Sequence, residues 1–114
     1  MMQEKHFPLY GGNILDKYHV RLLSRAYEDL DDIYEYIALE LVAPEAATKI
    51  IDTLEETIIS LEQLPRRGAK RRTGAYGNKG YRQLFVRNFT IVYRIDEIDK
   101  LVVIVMVKYS KSKF

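Results

Sequence analysis

The sequence contains no cysteine among its 114 residues. This absence excludes disulfide bonds, thiol catalysis and zinc–thiolate sites. It is also typical of the cytoplasm, where thiols are kept reduced and disulfide bonds do not stabilise folds. We therefore expect a cytoplasmic protein whose stability comes from its hydrophobic core.

Long apolar runs are absent as well. No stretch approaches the roughly 20 apolar residues that a membrane-spanning helix needs. No basic segment followed by an apolar one opens the chain, so we expect neither a membrane span nor export. With 47% hydrophobic and 30% charged residues, the composition predicts one soluble globular domain.

Motifs for metals and cofactors are missing too. The two histidines, His6 and His19, have no partner at metal-ligand spacing. No Walker loop, serine-hydrolase elbow or dinucleotide fingerprint occurs. The sequence therefore predicts no metal site and no cofactor.

The net charge is only +2, but the charges are unevenly distributed. Residues 28–62 are rich in acids, whereas residues 66–94 hold many lysines and arginines and no acid. Such a segment suits nucleic acid, including ribosomal RNA, because its cations release counterions from phosphates. The alternative is a solvated basic loop, or one that pairs with an acidic protein. The predicted nucleic-acid-binding residues are Arg66, Arg67, Lys70, Arg71, Arg72, Lys79 and Lys108.

The first half of the chain reads as an extension, a strand and two helices. Residues 1–17 lack a clear period and form a predicted N-terminal extension, and residues 18–114 form the domain. Residues 18–23 alternate like a strand, and Ser24 suits a helix N-cap. Apolar residues then recur at helical spacing until Pro44, and again over about residues 45–64, which predicts an antiparallel helical hairpin. The acids of the first helix, Asp29 among them, are expected on its solvated face.

The second half reads as a basic loop at residues 65–80 followed by strands at 81–87, 89–96 and 101–109. The order β-α-α-β-β-β predicts an α+β fold. In it, the N-terminal helical hairpin packs on one face of a mainly antiparallel four-stranded sheet. Alternation along the strands assigns the two faces of the sheet. The face predicted to meet the helices carries Phe89, Ile91, Tyr93 and Ile95, and the predicted uncovered face carries Tyr81, Gln83, Arg87, Thr90 and Arg94.

Several stretches together resemble the RelE/ParE family of toxins. In order they are RAYEDLDDIYEYIA, PEAA, LEQLPRRG, GYRQLFVRNFTIVYRID and LVVIVMVKY, and they cover about residues 18–111. The most specific stretch runs from Gly80 to Tyr93. The resemblance implies a growth-inhibiting toxin of a bacterial type II toxin–antitoxin module. It also implies a partner, a cognate antitoxin with an acidic, partly helical segment.

The resemblance leaves two targets open. RelE-like and YoeB-like members cut messenger RNA on the ribosome, whereas ParE-like members poison DNA gyrase and have no catalytic activity of their own. Our first hypothesis is a metal-independent, ribosome-dependent mRNA endonuclease, with ribosome and mRNA as partners. The alternative is a ParE-like gyrase poison. No membrane partner is expected under either hypothesis.

The nuclease branch of the family carries basic residues near the positions of Tyr81 and Gln83, an arginine at that of Thr90 and a histidine near that of Ser110. This chain therefore lacks the full nuclease set. In a nuclease, arginines would stabilise the charge on the phosphate while a tyrosine or lysine moves the proton. The residues predicted to take these catalytic roles are Arg82, Arg87, Arg94, Tyr109 and Lys111.

Overall fold

The computed structural model describes residues 17–114. The predicted extension, residues 1–17, lies outside the described residues except for Lys17. The first element is strand β1, His19–Leu22, where the sequence predicted a strand. Within the described part, neither helix combines the length and the apolar character that crossing a bilayer requires.

Helix α1 spans Ser24–Glu35 and follows β1 directly. Leu23 holds the N-cap position and makes no side-chain cap hydrogen bond, so the prediction that Ser24 is the N-cap is wrong. The reason lies in the sheet, where the Leu23 N–H still donates to the carbonyl oxygen of Ile104 at 3.0 Å. The helix therefore begins immediately after the last sheet hydrogen bond.

The connection between the helices is short and irregular. A π-helical turn, Tyr36–Glu40, continues α1. Pro44 is the first residue of helix α2, Pro44–Ser60, which confirms that proline separates the two helices. Hydrogen-bonded turns follow Ser60, so α2 ends earlier than the predicted boundary. The two helices pack against each other and form the predicted hairpin.

Four strands follow the helices: β2 at Ala69–Lys70, β3 at Arg82–Val86, β4 at Phe89–Asp96 and β5 at Leu101–Tyr109. With β1 they form a five-stranded sheet in the order β1-β5-β4-β3-β2. β1 pairs in parallel with β5, and every other pairing is antiparallel. The α+β architecture is confirmed, with one strand more than the sequence predicted. That strand, β2, has two residues, which is too short to show a period.

The hydrophobic core lies between the helices and one face of the sheet. Ile91 and Tyr93 are fully buried in it, and Phe89 and Ile95 pack against it, as the alternation along β4 predicted. Side chains from both helices and from β5 complete this core, notably Leu30, Leu54, Ile58, Leu61, Val102, Ile104 and Val107.

A β-bulge decides which residues of the apolar strand β5 face the helices. Val92 pairs with Met106, but the next residue, Tyr93, pairs with Ile104, so Val105 is an extra residue in β5. Val105 and Met106 consequently pack together with Val92 in a second buried cluster. The second face of the sheet is therefore partly a core face.

Candidate functional site

The second face of the sheet carries a cleft of about 710 Å³ between the basic loop and the C-terminal segment. Arg71 lies in it and is 8% exposed. Its Nη1 donates to the Gln83 side-chain oxygen at 2.7 Å, and its Nη2 donates to the Phe114 carbonyl oxygen at 2.8 Å. The guanidinium also stacks on the Phe114 ring, 4.3 Å from the ring centroid. Arg71, one of the predicted nucleic-acid-binding residues, is thus buried and holds the C-terminal segment.

The floor of this cleft is uncharged. The hydroxyl oxygens of Thr90 and Ser110 lie 2.8 Å apart, and Thr90 is fully buried. Gln83 contributes its amide. The lining includes no histidine, aspartate or glutamate, and its charged side chains are Arg71 and Lys113. Since a hydroxyl or an amide does not titrate near neutral pH, these groups can bind but are poor general bases.

The expected uncovered sheet face is largely covered. The loop that carries Tyr76 and Tyr81, together with Phe114, packs on the second buried cluster. The rings of Tyr76 and Tyr81 meet edge to face with centroids 4.9 Å apart. This packing removes the apolar side chains of Val92, Val105 and Met106 from water, which is favourable. Of the residues predicted to be uncovered, Arg87 and Arg94 are exposed, whereas Thr90 is buried.

The predicted catalytic residues fall into two groups. Arg87, Tyr109 and Lys111 lie at the same end of the sheet, where the Ser110 N–H donates to the Asn88 carbonyl oxygen at 2.7 Å. Arg82 and Arg94 lie farther along β3 and β4. Arg82 lies at the helix side of the sheet, where its Nη1 donates to the Gly68 carbonyl oxygen at 2.7 Å. Tyr109 packs edge to face against Phe89, with ring centroids 6.1 Å apart. Arg94 follows the inward-facing Tyr93 on β4, so it points to the opposite face. The other two, Arg87 and Lys111, lie in the turn after β3 and beyond the end of β5.

The basic loop divides into engaged and exposed cations. Arg66 forms an ion pair with Glu97, and Arg67 donates to the Ser60 hydroxyl at 2.7 Å. By contrast, Lys70, Arg72 and Lys79 are exposed and form no ion pair within residues 17–114. These three, which we call the exposed basic trio, are the part of the loop that is available to a partner.

Tyr93 anchors the start of this loop from inside the core. Its hydroxyl accepts a hydrogen bond from the Gly68 N–H at 2.9 Å and donates to the Pro65 carbonyl oxygen at 2.7 Å. Burial raises the pKa of Tyr93, so the phenol stays protonated and continues to donate. A Cβ on Gly68 would approach the Tyr93 hydroxyl to 2.7 Å, so this contact requires glycine.

A second surface is an apolar groove of about 690 Å³ beside the helical hairpin. It lies where the hairpin meets the ends of β4 and β5. Asp29, which is 5% exposed, closes one side, so its predicted place on a solvated face is wrong. Lys108 reaches over this side and donates to Asp29 at 2.8 Å. The remaining lining is mostly apolar and is formed by Asp32, Ile33, Tyr36, Ile37, Leu41, Ile50, Asn88, Phe89, Val107 and Tyr109.

No direct signal in the sequence indicates the roles of Asp29 and Arg71. Both look like ordinary members of charged runs, and their partners lie far along the chain. Among residues 17–114, no three histidine, aspartate or glutamate side chains are grouped to hold a metal ion.

The helical hairpin and the order of the sheet define a small α+β domain with the RelE/ParE-like fold. Residues 20–114 match the sequence model of the family described as "ParE toxin of type II toxin-antitoxin system, parDE", and the chain belongs to this family. A search of curated protein sequences gave no match.

Solved structures support the same assignment. A structure titled "Chromosomal ParDE TA system from P. aeruginosa" is 25% identical with a TM-score of 0.67, over 84% of this chain and 99% of that one. The RelBE2 toxin–antitoxin complex from Mycobacterium tuberculosis is 23% identical with a TM-score of 0.60, over 82% and 98%. A mutant of the E. coli toxin RelE in the free state is 13% identical with a TM-score of 0.59, over 83% and 85%. The last two show the likeness of fold alone.

Proposed function

We propose that this chain inhibits growth as a ParE-like poison of DNA gyrase, without catalysis of its own, and that a cognate antitoxin neutralises it. Membership of the ParE toxin family supports the first part of the proposal. The observation that carries it is the uncharged cleft floor formed by Gln83, Thr90 and Ser110.

Metal-independent cleavage of RNA requires two contributions from a protein. One group removes the proton from the attacking 2′-hydroxyl, and a cation stabilises the charge that develops on the phosphate. At the positions that correspond to the nuclease residues, this chain offers hydroxyl and amide groups. The nearby guanidinium of Arg71 is already bound to Gln83 and Phe114. The cleft therefore favours binding over catalysis.

The mRNA endonuclease is the second candidate, and the exposed basic trio favours it. Lys70, Arg72 and Lys79 form a cationic rim suited to phosphates. Tyr109 would then serve as the proton-transfer group, with Arg87, Arg94 and Lys111 as further cations. The ribosome and the message would have to complete this set of residues.

Two assays with the purified full chain distinguish the candidates. The gyrase proposal predicts loss of supercoiling and accumulation of cleaved DNA complexes, with mRNA left intact in a purified translation system. Tyr109→Phe provides the matched control, because it removes only a hydroxyl. Growth arrest by this variant should equal that of the wild type if gyrase is the target. Cut messages from the wild type and intact ones from Tyr109→Phe would overturn the proposal in favour of the nuclease.

In our proposal, the antitoxin contacts both the apolar groove and the exposed basic trio. An amphipathic helix would place its apolar face in the groove beside the hairpin, where Ile37, Leu41 and Phe89 are available. An acidic extended stretch would neutralise the exposed basic trio. Because a segment that folds on binding loses conformational entropy, a broad contact of this kind is needed for tight neutralisation.

A further inference from the structure

The charges of the helical hairpin are mostly acidic. Between Arg25 and Lys49 the chain has seven acidic residues and no lysine or arginine. All of these acids except Asp29 are exposed, and the exposed ones are Glu28, Asp31, Asp32, Glu35, Glu40 and Glu45. The hairpin is therefore a mainly acidic surface, whereas the loop at residues 65–80 is basic.

The tip of the hairpin also exposes large apolar side chains. Tyr36 is 58% exposed, Leu39 71%, Leu41 55% and Val42 81%. Val42 has a backbone φ of 51°, a conformation that costs a β-branched residue energy and that often marks binding sites. It follows the π-helical turn, another feature frequent at functional sites. Tyr36 and Leu41 continue from this tip into the apolar groove.

The groove itself has no cation available for an acidic ligand. Among its described lining residues the single cation is Lys108, whose ammonium is held by the Asp29 carboxylate at 2.8 Å. Asp32 is the remaining charged residue of the lining. On the hairpin side of the groove an acidic helix would therefore meet carboxylates, which costs free energy when like charges are desolvated together. The exposed cations Arg87 and Lys111 lie next to the lining residues Asn88 and Tyr109, on the strand side.

We propose that the helix that binds this groove is amphipathic with a basic flank, so that lysines or arginines beside its apolar stripe face the acidic hairpin. This inference rests on the proposed neutralisation by an antitoxin. It adds that the antitoxin is charge-segregated, with a basic-flanked helix at the hairpin and an acidic stretch at the basic loop. A partner with the two charges exchanged is disfavoured at both surfaces.

A second copy of this chain does not meet the same requirement. The exposed faces of its two described helices are themselves acidic, and each holds a single cation, Arg25 in α1 and Lys49 in α2. Two hairpins that meet at their grooves would bring like charges together. The charge pattern thus favours a different protein over self-association.

The test uses two synthetic helical peptides with the same leucine stripe and either lysine or glutamate at the flanking positions. Their affinities for the full chain are measured by fluorescence anisotropy at low and high salt. The lysine-flanked peptide should bind about tenfold tighter or better at low salt, and the difference should shrink at high salt as screening increases. Equal affinities, tighter binding of the glutamate peptide, or no binding of either would overturn the proposal.

Matched triple variants locate the effect. Asp32 lines the groove, and Glu35 and Glu40 are exposed acids that follow it in the hairpin. Asp32→Lys with Glu35→Lys and Glu40→Lys makes this part of the hairpin basic and should reverse the preference. Asp52→Lys with Glu56→Lys and Asp99→Lys makes the same change in net charge at exposed positions outside the groove lining, and should leave the lysine peptide preferred. If both variants lose the preference alike, the effect is general attraction rather than docking at the groove.

Leu41→Asp, at an exposed lining position, should weaken both peptides. Unchanged affinity would exclude the groove as the docking site. Sedimentation of the chain alone tests self-association, and a dimer that the lysine peptide cannot dissociate would overturn the proposal. None of these measurements involves gyrase, the ribosome or growth, so their failure is distinguishable from a failure of the proposed function.

Discussion

The carboxylate of Asp29 on α1 accepts a hydrogen bond from the backbone N–H of Val107 on β5, at 3.0 Å. β1 pairs with β5 only as far as Ile104, so this part of the β5 edge has no neighbouring strand. Asp29 thus takes the place of a strand at the open edge, and its second oxygen accepts from Lys108. One buried acid joins the helix, the sheet edge and the groove.

Asp29→Ala should therefore destabilise the fold by about 2–4 kcal/mol, because it leaves a buried N–H and an ammonium without their acceptor. Urea unfolding of the full chain measures the change. Asp31→Ala, an exposed acid of the same helix, is the control and should stay within about 0.5 kcal/mol of the wild type. Equal effects of the two substitutions would contradict the role assigned to Asp29.

Leu54 is fully buried between α2 and the sheet. Leu54→Ala should cost about 2–5 kcal/mol, since it removes buried methyl groups and leaves a cavity. Lys49→Ala, at an exposed position of the same helix, is the matched control. A loss below about 1 kcal/mol for Leu54→Ala in chemical denaturation would show that the packing of α2 is misassigned.

Tyr93→Phe should free the start of the basic loop. The substitution removes the partner of both the Gly68 N–H and the Pro65 carbonyl oxygen, at a cost of about 1–3 kcal/mol. Hydrogen exchange at the Gly68 amide should accelerate beyond what the change in global stability explains. Unchanged protection of that amide would exclude the anchor.

The raised pKa of Tyr93 should make the stability of the fold depend on pH. Its pKa in the folded protein is raised above the ordinary 10.0 because burial disfavours the phenolate. Its contribution to stability is therefore fully present below pH 10.0 and is lost as the pH rises through the folded pKa. The free energy of unfolding of the wild type should consequently fall faster above pH 10.0 than that of Tyr93→Phe. Parallel curves would contradict this assignment.

The exposed basic trio should contribute to toxicity more than to folding. Replacing Lys70, Arg72 and Lys79 together by glutamate should weaken growth arrest, and stability should change by less than about 1 kcal/mol because all three side chains are exposed. Arg71 and Arg82 are left intact because they hold Phe114 and Gly68. Matched growth curves and binding titrations check the outcome. Full toxicity with lost antitoxin binding would assign the trio to the antitoxin alone.

The order of elements could be predicted from the local pattern, because most helices and strands show a characteristic spacing of apolar residues. The helical stripes and Pro44 located both helices, and the alternation through Phe89, Ile91 and Tyr93 identified the core face of β4. These are properties of neighbours along the chain, which a sequence displays directly. The two-residue strand β2 was missed because so short a strand has no period.

The candidate site was predicted less well, since the role of a charged residue depends on partners far along the chain. Nothing in the run that contains Asp29 marks it as buried, because its partner Val107 is 78 positions away. In the same way Arg71 reads as one more cation of a basic loop until Phe114, 43 positions away, is placed against it.

The sequence by itself determined the family, the succession of helices and strands, and the separation of acidic hairpin from basic loop. The tertiary structure decided which of those charges are available. It placed a bulge at Val105, so that Val105 and Met106 share the second sheet face with Val92. The loop that carries Tyr76 and Tyr81 packs over these residues. The physical reason is that burial and hydrogen bonding depend on which distant segments meet in space, whereas periodicity and charge are already present in the chain before it folds.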